Sequence, residues 1–71
     1  MGEAFYIFKD GAIKRKDNNI IIKGSDGQNK VLKSEVVDEI YLFGEHNLNT
    51  KLLNFLSQKG IIMHVFNYYG F

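Results

Sequence analysis

Between Ile40 and Phe66 the sequence changes its hydrophobic period twice, and that succession leaves the chain few folds to choose from. Ile40-Tyr41-Leu42-Phe43 is a short β-branched and aromatic run closed by Gly44. Leu48, Leu52, Phe55 and Leu56 then recur at i, i+4, i+7 and i+8, with Leu53 widening the stripe and Lys51, Asn54 and Gln58 opposite it. This is the pattern of an amphipathic helix resting on a core. Asn49 or Asn47 supplies the N-cap oxygen, with Asn49 favoured, Lys59 stands near the negative end of the dipole, and Gly60 at the left-handed position past the last turn. A helix of about ten residues from Thr50 follows. Ile61-Ile62-Met63-His64-Val65-Phe66 then returns to strand character. Strand, helix and strand on short links predict a right-handed crossover, with the strand around Val65 parallel to that around Leu42.

Upstream, Ala4-Phe5-Tyr6-Ile7-Phe8-Lys9 is too short for a helix and reads as a strand, closed by Asp10-Gly11, a dipeptide suited to a tight hairpin. Phe5 and Ile7 face one way, Tyr6 and Phe8 the other. Both faces are apolar, so this strand is sandwiched or lies beneath an interface. Ala12-Ile13-Lys14-Arg15-Lys16 is a more polar return strand, and Asp17-Asn18-Asn19 turns the chain again. Ile20-Ile21-Ile22-Lys23 and Lys30-Val31-Leu32-Lys33 are two further strands around the turn Gly24-Ser25-Asp26-Gly27-Gln28. Ser34 is placed to cap one helical turn through Glu35, Val36 and Val37. The expected class is α+β: a small mixed β-sheet of five to six strands, an N-terminal meander then strand-helix-strand, with one amphipathic helix.

Seventy-one residues make one domain, and a chain this short buries about 60% of the surface it exposes when unfolded. Hydrophobic residues make up 45% of it, with six Phe and four Tyr, more apolar material than a lone small sheet hides. Some of it is expected to meet a partner. The net charge of +1 gives no global field for a polyanion, and the lack of cysteine removes disulfides and thiolate metal motifs. No apolar run approaches a membrane span and no signal-peptide pattern opens the chain. A soluble, cytoplasmic location without a membrane partner is the expectation.

Lys14-Arg15-Lys16 is the one charge run. It reads either as a phosphate-contacting hairpin or as an edge strand blunted by charge, since Asp10 and Asp17 bracket it. Glu45-His46 invites a metal or acid–base reading, with His64 as the other imidazole, but the ligand spacing of a metal site is missing. His64 is expected on a strand, partly buried and hydrogen-bonded. No nucleophile triad, glycine-rich phosphate loop or H-E-x-x-H occurs. Tyr68, Tyr69 and Phe71 lack neighbouring cations for a nucleic-acid stacking groove, and read better as a segment packing on a following domain or second subunit. For a subunit interface the candidates are Tyr6, Phe8, Tyr41 and Phe43.

The runs Tyr6-Ile7-Phe8-Lys9-Asp10-Gly11, Lys14-Arg15-Lys16-Asp17-Asn18 and Asn67-Tyr68-Tyr69-Gly70, with the strand-helix-strand between them, resemble the N-terminal domain of the CRISPR-associated integrase, the nuclease of spacer acquisition. The wording is most similar to type I-B systems. The resemblance implies that residues 1–66 are a β-rich dimerisation and assembly domain, and that 67–71 begin the link to a helical catalytic domain beyond Phe71. It implies a homodimer that clamps a second adaptation protein and carries DNA for antiviral defence. It also implies that Mg²⁺ or Mn²⁺ is bound by the parent enzyme's catalytic domain. No catalytic, metal or cofactor residue is expected here, and Glu45, His46 and His64 inherit no such role.

Overall fold

The computed structural model describes residues 2–66, and among these it holds seven strands and one α-helix. In chain order they are β1 (Glu3–Ile7), β2 (Gly11–Lys16), β3 (Asn19–Gly24), β4 (Asn29–Lys33), β5 (Val37–Phe43), β6 (His46–Asn47), α1 (Thr50–Lys59) and β7 (Ile62–Phe66). A 3₁₀ turn, Ser34–Val36, joins β4 to β5. The α+β class with one helix holds, and the strands divide into two sheets. One runs β1-β5-β7 and is wholly parallel; the other runs β4-β3-β2-β6.

The division turns on Asp10 and Gly11. They do not close a hairpin: Gly11 opens β2, and β1 pairs with β5 instead. Asp10 is a corner between the sheets. Its Oδ1 accepts the Glu45 N–H at 2.8 Å, its carbonyl accepts from Ser25 N–H at 2.9 Å, and Gly11 N–H donates to the Glu45 carbonyl at 3.1 Å. A strand apolar on both faces belongs in a parallel sheet, whereas the half-polar β2 suits an antiparallel meander with one wet face. That meander forms as expected. Asp17 takes φ 57° in the two-residue turn between Lys16 and Asn19, and Gly27 takes φ 88° in the next turn.

The sheets enclose one core of Ile7, Ile13, Ile20, Ile22, Leu32, Val37, Ile40, Leu42, Leu52, Phe55, Leu56 and Ile61. The helix begins and ends where its residues dictate. Asn49 Oδ1 accepts the Leu52 N–H at 2.8 Å, and Gly60 at φ 71° directs its N–H to the carbonyls of Leu56 and Ser57. Leu52, Phe55 and Leu56 are buried, while Leu53 stays 47% exposed rather than joining the stripe. Ser34 does not cap: its hydroxyl is buried with no hydrogen-bond partner among the described residues, and Lys33 precedes the turn without a side-chain bond. The helix returns the chain so that β7 lies parallel to β5, with Leu42 opposite Val65. Among the described residues no helix is long and apolar enough to cross a membrane.

Candidate interaction surface

The inner face of the parallel sheet supplies Ile7, Ile40 and Leu42 to the core, so alternation turns the neighbouring positions outward. Register arranges them in rows across the three strands. Ala4, Glu39 and Ile62 form one row and Tyr6, Tyr41 and His64 the next; Phe8, just past β1, stands beside Phe43 and Phe66 in the last. The rings in these rows stack. Tyr6 and Tyr41 lie 4.8 Å apart between centroids, Tyr41 and His64 4.3 Å, Phe8 and Phe43 4.9 Å, and Phe43 and Phe66 4.9 Å, all with planes within 14° of parallel. The two rows touch through Tyr41 and Phe66, 6.3 Å apart.

Little of this ladder is covered. Phe8 is 70% exposed, Tyr6 55%, Ile62 56% and Phe66 46%. Glu39 is the polar fixture beside it. One oxygen, Oε1, accepts the Tyr41 hydroxyl at 3.1 Å and His64 Nε2 at 3.0 Å. The His64 hydrogen bond, then that of Tyr41, holds the Glu39 carboxyl below its usual 4.5. Donation to Glu39 raises the Tyr41 phenol above its usual 10.0. The charge of Glu39 thus tethers two rings of the middle row.

The four residues marked by alternation, Tyr6, Phe8, Tyr41 and Phe43, therefore share one exposed face. His64, Phe66 and Ile62 join it, and they were missed because their place depends on the parallel register of β5 with β7. The alternation of Ile62, His64 and Phe66 was the available signal. Tyr68, Tyr69 and Phe71 lie outside the described residues.

Lys14, Arg15 and Lys16 do not act as one cluster. Alternation along β2 separates them: Lys14 and Lys16 point away from the core, whereas the Arg15 guanidinium lies 4.5 Å over the Phe55 ring and its Nε donates to the Asp17 carbonyl at 2.8 Å. Glu45 is exposed, while His46 turns inward with both ring nitrogens buried and without a hydrogen-bond partner among the described residues, beside an open cleft of about 600 Å³ lined by Asp10, Ser25, Glu45 and Val65. His64 is half-buried on β7 and bonded, as its strand context implied. Among the described residues no three His, Cys, Asp or Glu side chains gather as a metal site.

Residues 5–71 match the family model described as CRISPR associated protein Cas1. The chain belongs to the Cas1 family. It is 52% identical over 67 residues to the CRISPR-associated endonuclease Cas1 3 of Thermodesulfovibrio yellowstonii, covering 94% of this chain and 21% of that protein. It is 44% identical over 71 residues to the CRISPR-associated endonuclease Cas1 of Clostridium perfringens, covering all of this chain and 22% of that one. The solved structure of a Cas1 protein from Thermotoga maritima superposes with a TM-score of 0.84 at 44% identity, over 93% of this chain and 21% of that chain. The chain thus spans about a fifth of the length of the Cas1 relatives it matches.

Proposed function

We propose that this chain is the N-terminal β-domain of a CRISPR adaptation endonuclease and integrase, and that it works as a dimerisation and assembly platform, two copies meeting on the aromatic ladder. The observation that carries this is a parallel sheet with one face bare. Such sheets are almost always covered on both faces, yet here Tyr6, Phe8 and Phe66 stand in solvent. A contiguous aromatic surface of this kind marks an interaction site. Its rings are already held against one another, so little side-chain freedom is left to lose on association. A two-fold contact would lay each ladder on its own copy, since the same patch then serves both subunits.

On this reading the endonuclease activity named for the relatives, the insertion of DNA, the Mg²⁺ or Mn²⁺ they use, and the contact with a second adaptation protein belong to the whole protein. The residues described here do not fit a divalent ion, and no catalytic step is assigned to them. The type I-B subtype rests on the wording of Tyr6–Gly11, Lys14–Asn18 and Asn67–Gly70, and a cytoplasmic setting goes with the same reading.

Sedimentation equilibrium tests the platform. The expected result is a monomer–dimer equilibrium that depends on concentration and shifts to monomer in Phe43→Asp, with a native far-UV spectrum. Tyr6→Ser with Phe8→Ser is the second variant, should a charge at Phe43 disturb the sheet. A wild-type chain that stays monomeric at millimolar concentration overturns the reading.

A further inference from the structure

The aromatic ladder has one carboxylate and one imidazole set into it. Glu39 Oε1 and His64 Nε2 lie 3.0 Å apart, and the two side chains remain 37% and 36% exposed in the single copy. Their contact joins β5 to β7 beside Ile62 and Tyr41, within the rows that the platform offers to a second copy. Glu39 is ionised at neutral pH, because hydrogen bonds from His64 and then Tyr41 hold its carboxyl below the usual 4.5. Imidazole is the side chain that changes charge between about pH 5 and 8. The pair thus carries no net charge when His64 is protonated and one negative charge when it is not.

The groups packed around His64 leave that difference uncancelled. From β5 it meets Tyr41, whose phenol is raised above its usual 10.0 by donation to Glu39 and stays neutral. Tyr6 of β1 stacks on the other side of Tyr41. Asp38, at the register shift between β1 and β5, is exposed and places a second carboxylate next to Glu39 in the chain. The helix α1 approaches β7 from the core side, with Lys51 exposed there and Lys59 lying 5.7 Å over the Phe55 ring. Neither lysine reaches the outer face.

We infer, building on the platform reading above, that two copies meeting on this face take up one proton at each His64, so that acid tightens the dimer. Association moves Glu39 from half-exposed to covered, and a carboxylate removed from water is costly unless an opposite charge stays with it. A two-fold contact doubles the effect, since both copies bring their pair to one interface. The sign follows from linkage. An imidazolium favoured by the dimer adds affinity that is full below its value in the free chain and lost as pH rises through its value in the dimer.

Sedimentation equilibrium of the chain from about pH 6 to about pH 8 is the test. One proton per copy allows the dissociation constant to rise at most about 10²-fold per pH unit, and at least about tenfold weakening across the range is expected. His64→Gln keeps a donor toward Glu39 but cannot be charged, so its dimer should be weak and indifferent to pH. Glu39→Gln leaves a protonated His64 without its counter-charge, so its dimer should weaken on acidification, the reverse of the wild type. Circular dichroism checks each fold, and His64→Asn replaces His64→Gln if that variant misfolds. A dimer whose constant ignores pH, a pH dependence that survives in His64→Gln, or an unreversed one in Glu39→Gln would each overturn this inference alone. Absence of a dimer at every pH would overturn the platform reading together with it.

Discussion

Tyr41 and His64 stack across the central and edge strands of the parallel sheet with centroids 4.3 Å apart and planes 11° from parallel, and both donate to the same oxygen of Glu39. Their contact explains how an uncovered aromatic row keeps its shape. Each stacked pair contributes about 0.5–1.5 kcal/mol beyond its burial, and the shared acceptor fixes the ring edges. The outer face is therefore organised before any partner arrives.

That arrangement depends on acid pH in a defined direction. Glu39 is held below 4.5 by its hydrogen bonds from His64 and Tyr41. A carboxylate depressed in the folded state contributes stability that is present above its unfolded value and lost as pH falls through the folded one. Urea midpoints should accordingly decline as the pH drops below 4.5, and Glu39→Gln should remove that part of the decline. An unchanged acid limb in Glu39→Gln would show that the carboxylate does not hold the ladder.

The corner between the sheets can be tested by comparing two glycines. Gly44 and Gly27 both adopt positive φ, 100° and 88°. A Cβ at Gly44 would lie 2.5 Å from Asp10 Oδ1, the oxygen that accepts from Glu45, whereas one at Gly27 meets nothing within 4 Å. Backbone strain of this kind costs about 1–3 kcal/mol at either site. Gly44→Ala should therefore lower the thermal midpoint further than Gly27→Ala, since it also breaks the Asp10 corner. Equal losses would mean that Asp10 yields freely.

Helix capping gives a prediction with a built-in control. Asn49→Ala removes the acceptor of the Leu52 N–H and should cost about 0.5–2 kcal/mol. In a chain of this size each kcal/mol shifts the midpoint by about 4–8 °C. Asn49→Asp keeps an oxygen at the cap and should retain the midpoint. A calorimetric scan of the three proteins decides it, and an unaltered Asn49→Ala midpoint would show that the cap bond adds nothing.

What could be read in advance follows the distance over which each signal acts. The helix, its Asn49 and Gly60 ends and the facing of Tyr6, Phe8, Tyr41 and Phe43 depend on neighbours a few residues away, and the periodic pattern carries them. Asp10-Gly11 has the local chemistry of a hairpin, but its partner is Glu45, 35 residues on, and no local pattern announces that bond. Ser34 has the chemistry of a cap yet faces the interior. His64 and Phe66 reach the aromatic face, and Lys23 and Lys33 come to the same side of the meander as Lys14 and Lys16, only through register between strands. The two outer faces were thus half visible: their residues could be named strand by strand, while their assembly into surfaces required the pairing.

Arg15 shows most sharply how register parts neighbours in sequence. It sits between Lys14 and Lys16 in the sequence, yet its guanidinium covers the Phe55 ring and its Nε donates to the carbonyl of Asp17. A cation over an aromatic ring contributes about 0.5–2 kcal/mol, and the hydrogen bond about 1 kcal/mol. Arg15→Gln should thus lose roughly 1–3 kcal/mol in urea unfolding. Arg15→Lys should recover only part of this, because an ammonium lacks the planar fork that stacks on the ring. If Arg15→Gln instead left the urea midpoint intact, Arg15 would belong with the outward lysines, and the assignment of its side chain to the Phe55 side would fall.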